Sequence, residues 1–189
     1  MILNRQVVGF KFILVISLMV ILNIRGYSQR YTEYEVKAAY IYNFAKFIEW
    51  PDSVFEQKDS PLILGIYNGD PFGDIIEKTF TNNTIKDRKW SVKYYKDINE
   101  ISYCHILFVP KIDKAELLKV LNIVKNKAIL SVGDNVDNFC QMGGIINFTA
   151  QSSKYRFEIN NFEAKKSKLE ISSKLLILSK IVRTNEIKF

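Results

Sequence analysis

His105 is the single histidine of the 189-residue chain, and Cys104 and Cys140 are its only cysteines. A zinc site needs three or four His, Cys or carboxylate ligands, and a nucleophilic side chain needs a base beside it. One histidine inside the short apolar run His105–Val109 supplies neither, and its expected role is a packed, hydrogen-bonded core side chain. The segment Asn68-Gly-Asp-Pro-Phe-Gly73 stands where a phosphate loop would. It matches neither the dinucleotide fingerprint nor the P-loop, and no Lys-Ser or Lys-Thr follows it. Asp134 and Asp137 form a candidate carboxylate pair for acid–base work, set against the ordinary use of Asp as a turn residue. Glu158 draws more interest. Within Tyr155–Asn160, alternation turns Phe157 and Ile159 to a core and Glu158 and Asn160 to the other side, a partner-facing surface on a sheet edge. No cofactor and no metal is expected.

The elements that must position these residues follow from periodicity. Glu33–Trp50 carries Val36, Tyr40, Phe44, Phe47 and Ile48 at helical spacing, and Pro51 stops it. Its polar strip, Glu35, Asn43, Lys46 and Glu49, leaves Glu35, Asn43 and Lys46 as further partner-facing candidates. Leu62–Tyr67, Trp90–Tyr95, His105–Val109 and Ala128–Val132 read as strands. Helices are expected over Pro71–Phe80, with Asp70 as its cap, and from Asp113 to Val124. Such alternation implies a mainly parallel sheet covered on both faces. Gly144–Phe148 and Tyr155–Ile159 then read as an antiparallel hairpin, and Ser172–Arg183 as a last helix with Ile171, Leu175, Leu178 and Val182 as its stripe. The expected fold is a three-layer, Rossmann-like α/β domain with an antiparallel edge hairpin.

Arg5 and Lys11 precede the apolar run 12–24, and Gly26-Tyr-Ser28 ends it with small residues at the positions a signal peptidase reads. Residues 1–28 are therefore expected to be a secretory signal peptide, and residues 29–189 one domain. The leader takes Arg5, Lys11 and Arg25 with it and no acid, so the 27 basic residues fall to 24 against 20 acidic and the net charge falls from +7 to +4. Export and this modest charge leave no nucleic-acid partner to expect. An even cysteine pair in an exported chain invites a disulfide. Read as a strand start and a loop beyond the next strand, Cys104 and Cys140 lie at opposite ends of the sheet, whereas a bridge needs α-carbons within about 7 Å. A disulfide between them is not expected.

Six segments resemble one family. Ala38-Ala-Tyr-Ile-Tyr-Asn-Phe-Ala-Lys-Phe-Ile-Glu-Trp-Pro51 is similar to the opening helix of YfiR-like proteins. Gly69-Asp-Pro-Phe-Gly73, Cys104-His-Ile-Leu-Phe108, Gly143-Gly-Ile-Ile-Asn-Phe148, Phe157-Glu-Ile-Asn160 and Leu169-Glu-Ile-Ser-Ser-Lys-Leu-Leu176 follow in the family's order. The resemblance implies a periplasmic, often dimeric α/β protein. Its best-understood relatives repress a membrane-bound diguanylate cyclase by binding that enzyme's periplasmic sensor domain, and an outer-membrane lipoprotein releases them. Such relatives carry two internal disulfides, for which Cys104 and Cys140 stand here without their partners. The function expected is therefore a non-enzymatic regulator docking on a diguanylate cyclase or a sensor kinase. The alternative is a periplasmic small-ligand-binding protein feeding a sensor or transporter, using the turns around Asp70 and Asp134 at the sheet's carboxyl end. An exported hydrolase is the third reading, without an identifiable nucleophile and base.

Overall fold

The computed structural model describes residues 31–151 and 154–184. The signal-peptide reading of residues 1–28 falls outside them. The first element, α1, is Glu33–Phe47. Thr32 caps it: its hydroxyl accepts the Glu35 amide, and the Glu35 carboxylate accepts the Thr32 amide at 2.6 Å. This reciprocal box satisfies donors that a helix start leaves open. Ala38, Ile41, Phe44 and Ala45 form the buried stripe. The helix stops short of Trp50 because Ile48 turns extended, and Ile48–Glu49 (β1) pairs antiparallel with Glu170–Ile171 (β8).

Seven strands make the main sheet, in the order β3-β2-β4-β5-β6-β7-β9. They are β2 Leu62–Tyr67, β3 Trp90–Tyr95, β4 Ile106–Val109, β5 Leu130–Asp134, β6 Ile146–Gln151, β7 Lys154–Ile159 and β9 Lys180–Ile181. The first five in that spatial order run parallel, β6–β7 is antiparallel, and β7–β9 is parallel again. Period-two alternation sends Leu64, Ile66, Ile106, Phe108, Leu130 and Val132 into one core, under α1 and under α2 (Ile75–Phe80). Tyr67, Leu107 and Val109 face a second core, roofed by α3 (Lys114–Val124) through Leu117, Val120, Leu121 and Val124. Each such fully buried side chain is worth about 1.5–3 kcal/mol over its exposed state. This is the expected mainly parallel, Rossmann-like α/β fold, with helices on both faces.

Three local differences have physical reasons. The second helix begins at Ile75 rather than Pro71, because Asp70 Oδ1 accepts the Phe72 and Gly73 amides and Gly73 turns left-handed at φ +54°. A short helix, α4 (Asn161–Lys166), follows the hairpin. The expected long C-terminal helix is one turn only, α5 (Ser173–Leu176), because Lys180 and Ile181 leave helical geometry to pair with Glu158 and Ile159. The hairpin is thus covered on its outer side, and β9 is the rim. A tight approach seats the loop after β5: a Cβ on Gly144 would stand 2.2 Å from the Phe139 ring, and one on Gly133 2.7 Å. Phe139 can lie flat there only over glycine.

Candidate functional site

The outer face of α1 carries Glu35, Ala39, Asn43 and Lys46, all exposed and one above another at helical spacing. Each polar member has a local partner. Glu35 closes the capping box, Asn43 Nδ2 donates to the Ala39 carbonyl at 2.9 Å, and the Lys46 ammonium stands 5.5 Å from the Tyr42 ring centre. The stripe is level and polar, with its middle kept low by Ala39.

The structure divides the two hairpin residues. Glu158 is largely covered, its side chain only 12% exposed, and its carboxylate accepts from Lys180 of β9 at 2.7 Å. Asn160 is fully buried, which corrects the expectation that it faces a partner. Its Oδ1 accepts the Glu163 amide at 3.1 Å, and its Nδ2 donates to the Cys140 carbonyl at 2.8 Å and Thr184 Oγ1 at 2.9 Å. As the N-cap of α4 it stands past the last alternating strand position, so the two-residue period no longer governs it. The pair Asn160 and Glu163, a cap residue with Glu three later, was the sequence signal for that helix. Beyond Glu158 the rim is apolar instead. Ile177 is 83% exposed, Leu178 72% and Ile181 52%. Reading this stretch as a helix concealed that surface.

At the sheet's carboxyl end the carboxylates of the small-ligand reading are engaged or apart. Asp70 closes its own turn. Asp134 is buried under α1, where Lys37 donates to it and Tyr34 Oη donates to its second oxygen at 3.2 Å. Glu33 accepts from the same ammonium. Burial alone pulls the Lys37 ammonium down, but its bonds to Asp134 and Glu33 more than reverse that, and its pKa stands above the usual lysine value. Burial, then the Asp134 charge, raises the Tyr34 phenol. Asp137 is exposed in the following loop, so the two aspartates do not share one environment.

His105 is buried at the opposite end. Its Nδ1 accepts the Ile63 amide at 3.0 Å, Phe55 stacks on its ring at 4.5 Å, and Tyr103 and Trp50 meet it edge-on. With Nδ1 an acceptor, the proton sits on Nε2, which is buried and without a partner among the described residues. Burial, then the nearby Arg88 and Lys93 charges, pushes its pKa down to about 4. Cys104 and Cys140 are both free and buried. Cys104 Sγ lies against Gly65 of β2, while Cys140 Sγ points at the carbonyls of Ile145 and Glu158 beside β6 and β7. Burial pushes the Cys104 thiol up to about 12 and raises Cys140 also. Among the described residues, no three His, Cys, Asp or Glu side chains gather to hold a metal ion. No described helix is long and apolar enough to cross a membrane.

Fold and site define a Rossmann-like α/β domain whose buried ionic groups brace the scaffold and whose outer surfaces are a polar helix face and an apolar sheet rim. The YfiR/HmsC-like family model matches residues 34–180, from the first turn of α1 into β9, and the chain belongs to that family. The family is periplasmic and one of regulatory rather than catalytic domains. A comparison with curated proteins finds no match.

Proposed function

We propose that the chain, freed of residues 1–28 on export, regulates a membrane-bound signalling enzyme by docking on that enzyme's periplasmic domain. A diguanylate cyclase or a sensor kinase is the enzyme in view, and an outer-membrane lipoprotein the releasing partner. The observation that carries this is the rim beyond Glu158, where Ile177, Leu178 and Ile181 stand exposed within five residues of each other. Clustered apolar side chains on a folded surface, edged by charges such as Lys174, Lys180 and Arg183, mark a protein-contact site. The α1 stripe of Glu35, Asn43 and Lys46 supplies a second, polar contact.

The test is binding of the processed protein to the purified periplasmic domain of the membrane sensor, beside that sensor's activity in membrane vesicles. Binding with a change in activity supports the reading. Neither effect, with the protein folded, removes it. A small molecule that raises the melting temperature while the sensor domain does not bind would favour the ligand-carrier alternative.

A further inference from the structure

The opposite end of the sheet is a different surface. β3 is its outermost strand, and among the described residues it pairs with β2 alone. The Lys89 carbonyl accepts the Leu62 amide and the Tyr95 carbonyl accepts the Asn68 amide, both at 2.8 Å. N–H and C=O of one strand residue point the same way and alternate along the strand. Ser91, Lys93 and Tyr95 therefore bond inward to β2, and Trp90, Val92 and Tyr94 hold their amides and carbonyls outward.

The side chains of those same three residues line a groove of about 450 Å³ against α2, with Gly73, Ile76 and Phe80 as its other wall. Trp90 Nε1 is buried with no hydrogen-bond partner among the described residues. Phe80 stacks on the indole at 4.1 Å and keeps it from swinging to water. Tyr94 stands half-exposed at the groove's end.

Charge decides what fits. Lys89, Lys93 and Lys96 are exposed along this strand, and among the described residues none of them is ion-paired. Asp87 is the one acid between positions 86 and 96, and Glu77 the one acid in the groove wall. A second copy of the chain, edge to edge, would set two such lysine rows against each other. We infer that the β3 edge receives an extended, acidic segment of another protein as an eighth strand, with an apolar side chain in the α2 groove against the Trp90 indole. This surface is separate from the β9 rim and does not depend on it.

Amide exchange by NMR on the processed protein tests this, with two short synthetic peptides as probes, one alternating Glu with Val and the other Lys with Val. The acidic peptide slows exchange at Val92 and Tyr94 about tenfold, leaves Lys93 as it was, and shifts the Trp90 indole N–H. Added salt weakens the effect. Val92→Pro removes the central outward donor without touching a bond to β2, and the protection is lost. Lys89→Glu with Lys93→Glu transfers it to the basic peptide, and this variant decides the matter if the proline variant misfolds. Equal protection by both peptides, protection by neither, or a peptide-free dimer that already shields Val92 and Tyr94 would each overturn the inference.

Discussion

Lys37 of α1 and Asp134 at the end of β5 meet in the interior although 97 positions separate them in the chain. A buried pair is costly to break because the survivor keeps its charge without water. Lys37→Met is expected to destabilise the protein by about 3–5 kcal/mol. Lys37→Met with Asp134→Leu is expected to recover most of it, since both charges then go. Urea melts of both variants check this. The raised lysine contributes stability that is complete below its unfolded value of 10.5 and lost as pH climbs through the folded value. Alkaline melts should steepen there in the native protein and not in Lys37→Met.

His105 acts in acid. A depressed histidine pKa means that the unfolded chain binds the proton first, between 6.5 and about 4. Stability is complete above 6.5 and falls with pH across that window, by about 2–3 kcal/mol at its lower end. His105→Asn keeps an acceptor where Nδ1 meets the Ile63 amide and cannot titrate. Thermal melts from pH 7 to pH 4 should lose this component of their slope in the variant. An unchanged slope would assign acid sensitivity elsewhere.

Docking makes a sharper prediction at Ile177 and Leu178 than at Glu158. Aspartate at either apolar position should leave the melting curve within about 0.5 kcal/mol of the native one, because both side chains are in solvent. Binding to the sensor domain should weaken by about 1–3 kcal/mol for each that lies near the centre of the contact. Glu158→Lys, by contrast, sets a cation against Lys180 and should show first in the melt. Titration calorimetry beside a thermal melt separates the two effects.

Both thiols should be silent in the folded protein. Cys104, with its pKa near 12, presents almost no thiolate at neutral pH, and Cys140 is equally buried. A thiol reagent should count two groups in the unreduced protein after unfolding and close to none before. A peptide joining Cys104 to Cys140 would contradict the free state seen here.

Much of this architecture is legible in the residues. The runs ending at Tyr67, Val109 and Val132 are strands because apolar stretches bounded by turn residues have no shorter way to satisfy their backbone. Asp113 announces α3 by capping it, its carboxylate accepting the Ala115 and Glu116 amides. The site is less legible, for two reasons. A periodic stripe such as Leu175, Leu178 and Val182 fits a helix until a neighbouring strand offers pairing, and only the fold shows that Glu158 and Ile159 do so. Lys37 follows Glu33 by one helical turn, and nothing local tells that its second partner, Asp134, arrives with β5.

The pairings of α1 and β1 also set an order of events. α1 is among the first segments to be synthesised, yet its ion pair waits for residue 134 and the β1–β8 ladder waits for residue 171. Contacts so distant in sequence carry their closure entropy before they return any energy, and they make assembly slow. The opening helix is therefore expected to form early and to dock only after β6 and β7 are made, because Phe44 of its apolar stripe packs on Phe148 and Phe157.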